Sequence, residues 1–333
     1  MRSPVVIVVS NAQDPTVPLV EPHLERAGVG CVRLNTEALG EAFCIEYHIR
    51  DHVPCPVVEL PDGPLAAEDV LAVWYRRPPP PPPPAVVTLG QASEFAAAEL
   101  QSLLDGALEC LDCLWVSRPH AIRRATLKLW QLQVASRLGF SLPRTLVSRD
   151  PARIRAFCES LWAGGSRVAV KCISKGPPQA ATLDEQYMLY TTVVEPDATI
   201  DDSALAACPA LYQEYVEKRA ELRVTVVGSR VFACAIHSQA SERTRIDWRH
   251  YDLDNTPHEA VTLDAATERR CAEMTASLGL EFSAIDLVVR PDGEIVFLEM
   301  NPNGQWGWIE ELTGLPIAGA IAEHLARVSP LSD

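Results

Sequence analysis

The chain has 333 residues, 47% hydrophobic and 22% charged, so it is long enough for two or three compact domains and too apolar for wholesale disorder. A formal net charge of −15 opposes attraction to a phosphate backbone and argues against a nucleic-acid partner. No apolar run approaches the roughly 20 residues of a membrane-spanning helix, and Met1 to Pro4 followed by Val5 to Val9 reads as a first strand rather than a signal peptide, so no membrane association and a cytoplasmic location are expected.

The first third of the chain alternates between strand and helix signals. Val5 to Ser10 is a continuous apolar run of the buried-strand kind, and Val17 to Arg26 is a helix closed by Gly28. Val29 to Leu34 is a second strand, and further β-type runs cover 43–49, 57–60 and 70–75. This pattern predicts an α/β domain with a largely parallel sheet. Gly28 and Gly30 lack the third glycine of a dinucleotide fingerprint. Seven consecutive prolines, Pro78 to Pro84, impose a polyproline II rod without backbone donors, read as a stiff surface connector. A helix over 94–108 and a short strand over 113–117 follow. Cys110 and Cys113 form a CxxC pair, but no second pair exists, and they read as packing residues. His48 and His52 sit in a strand-like alternation that breaks up a metal face.

Beyond residue 118 the character changes. Arg118, His120, Arg123, Arg124 and Lys128 cluster in an otherwise acidic chain. Ile122, Ala125, Leu129 and Leu132 recur at helical spacing, which places Arg124, Lys128 and Gln131 on the opposite, polar face. Lys171 ends the apolar run Val168-Ala169-Val170, and a lysine emerging from a buried strand needs an anion or a carboxylate. β-type runs are expected over 188–194, 211–216, 221–227 and 231–236, the last two joined by a Gly228-Ser229 hairpin turn. Glu221, Arg223 and Thr225 then share one face.

Two further β-type runs, 284–290 and 294–300, flank Pro291-Asp292-Gly293. With Asp292-Gly293 as a two-residue type I′ turn, Asp286 faces Glu299, and Asn301 projects from the same face. Two like charges directly opposed destabilise a sheet. An acidic pair with a raised pKa is one reading; two carboxylates and an amide oxygen that hold Mg²⁺, completed by water and phosphate oxygens, is the other.

The order Lys128, Lys171, Arg223, Asp286, Glu299, Asn301 resembles the ATP-grasp superfamily, across roughly residues 115 to 328. Within it, Trp74-Tyr75-Arg76-Arg77-Pro78, residues 128–143, Gln213-Glu214-Tyr215-Val216, Glu221-Leu222-Arg223, Asp247-Trp248-Arg249 and above all Asn301-Pro302-Asn303-Gly304-Gln305-Trp306 resemble the microviridin-type peptide maturases, the graspetide synthetases. The resemblance implies an N-terminal α/β pre-grasp domain (1–117) followed by a two-part ATP-grasp fold of mixed α/β and α+β character, with a central subdomain (118–212) and a C-terminal one (213–330). The proline run and the short, glycine-poor loop after Lys171 depart from the family's pattern.

Carried over by position, the resemblance implies that Lys128 and Lys171 meet the α- and β-phosphates of ATP. Glu214, Tyr215 and Val216 would form the hinge that reads adenine, with Glu217 on the ribose. Arg223 would approach the γ-phosphate, and Asp286, Glu299 and Asn301 would hold Mg²⁺. Arg76, Arg245 and Arg249 are candidates for steering an acidic side chain. Trp306 and Trp308 either wall the site or pack in the core. The activity implied is ATP-dependent closure of ester or amide rings in a ribosomally made precursor peptide, with ADP and phosphate released. Residues 186–194 are a candidate leader-peptide edge, and a homodimer is implied. The competing readings are an amino-acid or small-peptide ligase of the ribosomal-protein-modification or glutathione-synthetase kind, and a nucleotide-binding regulator without turnover.

Overall fold

β-Branched runs build the N-terminal sheet of the computed structural model, which describes residues 4–174, 191–198, 201–250 and 252–327. In chain order the first domain runs β1 (Val5–Ser10), α1 (Val17–Arg26), β2 (Gly30–Asn35), β3 (Cys44–Arg50), β4 (Val53–Leu60), β5 (Gly63–Leu65), β6 (Val70–Tyr75), α2 (Gly90–Glu109) and β7 (Leu114–Val116). Strands β2, β1, β6 and β7 lie side by side in that order, all parallel. Val6 and Val8 pack with α1, Ile7 and Val9 with α2, which explains an apolar run without alternation: both faces of the sheet are covered. The expectation of one largely parallel sheet needs a correction. Strands β3, β4 and β5 form a separate antiparallel sheet, because tight connections of two residues between them permit only antiparallel pairing.

Next come α3 (Pro119–Ala125) and α4 (Lys128–Arg137), where the periodicity predicted one helix. The break at Thr126-Leu127 re-phases the second helix, so Leu129 is 50% exposed and Gln131 only 2% exposed, the reverse of the expected faces. The central sheet follows: β8 (Thr145–Ser148), α5 (Pro151–Ala163), β9 (Val168–Lys171), β10 (Thr192–Val194), α6 (Asp202–Ala207) and β11 (Ala210–Glu214). Its strands are antiparallel in the order β10-β9-β11-β8, and Ile154, Cys158 and Leu161 of α5 cover Val168 and Tyr212. Of the proposed leader edge, β10 is the edge strand of this sheet, while 186–190 lie outside the described residues.

The C-terminal part comprises β12 (Ala220–Val227), β13 (Arg230–Ile236), β14 (His258–Val261), α7 (Ala265–Ser277), β15 (Phe282–Val289), β16 (Ile295–Asn301), α8 (Gly307–Thr313) and α9 (Ile317–Leu325). Its five strands are antiparallel in the order β14-β13-β12-β15-β16. The Gly228-Ser229 turn is as expected, with Val227 opposite Arg230 and Gly228 at φ +56°. Helices α3 and α4 pack on this sheet rather than on the central one, through Ile122, Ala125, Val134 and Ala135 against Val224, Ile285 and Phe297. A second core joins the two ends of the chain: Val6, Val8 and Trp74 pack with Trp306, Ile309, Ile317 and Ile321. Among the described residues no helix is long and apolar enough to cross a membrane.

One buried cation ties the N-terminal sheet to the loop after β16. Arg76 is fully buried and donates from Nη1 to the carbonyls of Asn303 (3.0 Å) and Gly304 (3.1 Å), from Nη2 to Gln305 Oε1 (2.7 Å), and from Nε to Thr16 Oγ1 (3.1 Å). Asp14 supplies its countercharge at 3.6 Å, and burial pushes the guanidinium down to about 10, still protonated at neutral pH. Removing one partner of a buried ion pair is strongly destabilising, typically about 3–5 kcal/mol, whereas removing both relieves most of that penalty. Asp14→Ala is therefore expected to lower the unfolding free energy by an amount in that range, and Asp14→Ala with Arg76→Met by clearly less. Urea denaturation measures both; equal losses would show that Arg76 does not depend on Asp14.

Candidate active site

A cleft of about 1280 Å³ opens between the parallel N-terminal sheet, the central sheet and the C-terminal sheet, lined by the β1–α1 loop, the residues after β6, Lys128, Lys171, residues 213–216, residues 246–249 and the β15–β16 hairpin. That volume exceeds the few hundred to about 1,000 Å³ of an ordinary small-molecule pocket.

The hairpin reaches the expected pairing by a different route. Its loop has three residues, not two: Arg290 N–H donates to Glu294 O (2.8 Å), and Gly293, at φ +94°, takes the left-handed position. The ladder near the loop therefore pairs Val289 with Ile295 and Leu287 with Phe297, one residue off the expected register. A β-bulge then inserts Leu298, and beyond it Asp286 does face Glu299 and Ala284 faces Asn301. The bulge puts Leu298 and Glu299 both on the cleft wall, while Phe297 stays fully buried against Phe140 at a 5.5 Å ring separation. Gln131 fixes this strand from outside. Its Nε2 donates to Met300 O (2.7 Å) and its Oε1 accepts from Met300 N–H (2.9 Å), so one amide pairs the open edge of β16 between Glu299 and Asn301.

Charges are laid in a row across the strands. Arg223 on β12 lies directly opposite Asp286 on β15 and donates from Nη1 to both carboxylate oxygens at 2.9 Å. Glu299 follows on β16, and Lys128, first residue of α4, meets its Oε2 at 3.0 Å. Burial pushes the Asp286 carboxyl above its usual range, against the pull of Arg223. Burial acts the same way on Glu299, but Lys128, Lys171 and Arg249 outweigh it and hold that carboxyl below its usual range. Across the cleft Lys171 donates to Gln213 Oε1 (3.0 Å), and burial lowers its ammonium. Arg249 is clamped on Asp247 by its Nε (2.8 Å) and Nη2 (2.5 Å) and lines the cleft with it.

Among the described residues no group of three or more His, Cys, Asp or Glu side chains is placed to hold a metal ion. The donor set Asp286, Glu299 and Asn301, all on the cleft wall, instead fits an ion such as Mg²⁺, which takes one or two carboxylates and fills its shell with water and phosphate oxygens. Lys128 and Lys171 bring positive charge to the same cleft, which suits a polyphosphate.

Lys128, Lys171, Glu214, Tyr215, Val216, Arg249, Asp286, Glu299 and Asn301 thus share one cleft. The N–H groups of Glu214 and Tyr215 already donate to Arg144 O and Arg167 O (both 2.8 Å), which leaves Val216 as the one of the three expected hinge residues whose N–H has no such acceptor among the described residues. Other expected site residues stand elsewhere. Arg76 is the buried clasp described above rather than a substrate group. Trp306 is fully buried in the core, because the turn after Asn301 folds its ring under α8. Trp308 packs on Trp248 with ring centroids 5.1 Å apart. Arg245 is exposed outside the cleft lining, and its carbonyl accepts from Tyr215 Oη (3.2 Å). Glu217 points outward to Arg167 (2.8 Å), and Lys218 lines the cleft in its place. Arg223 is 5% exposed and acts on Asp286, not from the cleft wall. No site role was expected for Gln131, Gln213 or Asp247, although Gln213 and Asp247 stand in the family-like stretches 213–216 and 247–249 and Gln131 on the polar face with Lys128.

An α/β domain ahead of two antiparallel sheets that enclose a lysine- and carboxylate-lined cleft is the layout of an ATP-grasp ligase. The chain belongs to the RimK-like ATP-grasp family, whose domain matches residues 125–325, and residues 5–123 match the MvdD pre-ATP grasp domain. It is an ATP-dependent ligase. Among solved structures it is similar to a Chryseobacterium gregarium RiPP-associated ATP-grasp ligase in complex with ADP and a leader and core peptide, at 26% identity and TM-score 0.84, covering 98% of each chain. It is also similar to the macrocyclase MdnC of Microcystis aeruginosa bound with precursor peptide MdnA, at 27% identity and TM-score 0.82, covering 96% of this chain and 99% of that one. A curated relative, a probable alpha-L-glutamate ligase of Marinomonas sp., is 26% identical over 226 residues, 67% of this chain and 71% of its own.

The loop between Asn301 and Trp306 carries a steric constraint on the charge row. A Cβ on Gly304 would lie 2.4 Å from Ala284 Cβ and 2.5 Å from Arg223 Nη2. Gly304→Ala is expected to displace Arg223 from Asp286 and to lower ATP turnover at least about tenfold, the scale of one lost charge-assisted hydrogen bond. Steady-state ADP release checks this, and turnover at the wild-type level would remove Arg223 from the account.

Proposed function

We propose that this chain is an ATP- and Mg²⁺-dependent peptide macrocyclase, which activates Asp or Glu side-chain carboxylates of a ribosomally made precursor and joins them to Thr or Ser hydroxyls as esters or to Lys amines as amides. The observation that carries this reading is the extent of the likeness: two ligases with a peptide bound match the chain over nearly its whole length, including the N-terminal domain. The alpha-L-glutamate ligases match about two thirds of it. The cleft volume supports the reading too, since it leaves room beside a nucleotide for a peptide segment.

Bound ATP would supply the phosphoryl group that converts a carboxylate into an acyl phosphate open to attack by a hydroxyl or amine, with Mg²⁺ neutralising the phosphate charge. The protein's part is positioning and charge. Lys128 and Lys171 would meet the phosphate oxygens, and Val216 would present its N–H to the adenine edge. Asp286, Glu299 and Asn301 would hold Mg²⁺, and Arg223 keeps Asp286 aimed at it. Arg249, held rigid by Asp247, would receive the carboxylate to be activated.

The second reading, an amino-acid ligase, rests on the names of the curated relatives. Intact mass of the short peptide encoded beside the gene, after incubation with the purified chain, ATP and Mg²⁺, separates the two. Losses of whole multiples of water, absent without ATP, are expected. A mass gain of one amino-acid residue when amino acids are supplied would overturn ring closure in favour of the second reading.

A further inference from the structure

The wall of the cleft opposite the metal hairpin belongs to the N-terminal sheet. Strand β1 lies between β2 and β6, so the chain leaves β1 to one side and returns on the other. The C-terminal ends of β1 and β6 therefore flank the topological switch point, where open α/β sheets bind their ligands. Asn11, Gln13, Arg77 and Pro78 to Pro80 line the cleft there.

Among the described residues five cations line the cleft. Lys128 is held by Glu299, Lys171 by Gln213, Lys218 by Glu221 and Arg249 by Asp247. Arg77 has no acidic partner among the described residues. The carboxylates of its own wall are engaged elsewhere: Asp14 with Thr16 and Arg76, and Glu37 with the Ala12 N–H (2.6 Å). Arg77 is also one of three non-glycine residues with positive φ among the described residues, at +51°, a backbone conformation that persists only where surroundings enforce it. The enforcement is visible. Arg76 N–H donates to Val9 O (2.7 Å), Asn11 Nδ2 donates to Arg77 O (3.3 Å), and Thr36 Oγ1 donates to Pro79 O (2.6 Å). The proline rod, without N–H groups of its own, extends this anchored backbone as a stiff rail.

We infer that this crevice is a second carboxylate subsite of the cleft, in which Arg77 receives an acidic side chain of the substrate other than the one being activated. The inference rests on the peptide-ligase reading for its substrate class. It gives the proline run a function: a rail that holds one arginine in a fixed, left-handed pose at the cleft mouth. Arg76 and Arg77 then divide the work, the first binding the fold together and the second facing the ligand.

The test compares two probes on the full chain with ADP and Mg²⁺ by calorimetry: the peptide encoded beside the gene, and the same peptide with every core Asp and Glu changed to Asn and Gln. Wild type is expected to bind the acidic form about tenfold or more tighter, the scale of a charge-assisted pair. Arg77→Asn, chosen because Asn tolerates positive φ, is expected to cut that preference severalfold, with Arg249 still receiving one carboxylate, and to leave ADP affinity unchanged. Arg77→Lys is expected to keep most of it. A preference retained in full in Arg77→Asn, absent in wild type, or lost together with ADP binding would overturn the subsite. If wild type binds neither peptide, the peptide reading fails rather than Arg77, and L-glutamate replaces the probe. Glutamate-stimulated ADP release that falls about tenfold in Arg77→Asn would then support the subsite, and unchanged release would overturn it.

Discussion

Two carboxylates held face to face across a pair of strands are the constraint on which this structure depends. Asp286 and Glu299 repel, and burial in a sheet interior sharpens that repulsion. The fold answers with cations at both ends of the row: Arg223 on the strand beside Asp286, and Lys128 at the start of a helix beside Glu299. The outcome is asymmetric. Glu299 is held ionised by three surrounding cations, while burial pushes Asp286 towards protonation. A divalent ion between them would complete the neutralisation, which is why the row makes more sense as a metal and phosphate site than as a stability feature.

Everything else near the row keeps it in register. Gln131 closes the edge of β16 at Met300, with its polar groups satisfied on both sides. Gly304 lets the following loop pass against Ala284 and Arg223, where a side chain would collide. Arg76 reaches across from the N-terminal sheet to hold the same loop by two carbonyls and a side-chain amide. Two arginines from different domains thus grip one short segment, Arg223 through Gln305 O and Arg76 through its neighbours. The position of the N-terminal domain and the geometry of the β15–β16 hairpin are consequently one problem.

Much of this was legible in the residues, because strand alternation and cross-strand pairing are local. The facing of Asp286 and Glu299 could be read from spacing alone, but two departures cancelled: a three-residue loop shifted the register, and Leu298 shifted it back. Nothing in the local pattern announces a bulge of that kind. The division of the Lys128 segment into two helices was hidden because Leu129 mimics a core position, and only the tertiary demand of β16 for an edge partner shows why Gln131 turns inward. The roles of Arg76 and Arg77 were unreadable in advance. Adjacent residues at the end of a strand point to opposite sides, and which one meets the cleft depends on a loop more than 200 positions away.

The proposed role of the charge row is to hold Mg²⁺ with a nucleotide. Its most direct test is calorimetric titration of ADP into the wild-type chain and into Glu299→Gln, each with and without Mg²⁺. Mg²⁺ is expected to tighten ADP binding about tenfold or more in wild type, and the variant, still folded by its urea midpoint, to lose that increment. An equal Mg²⁺ increment in both chains would contradict it.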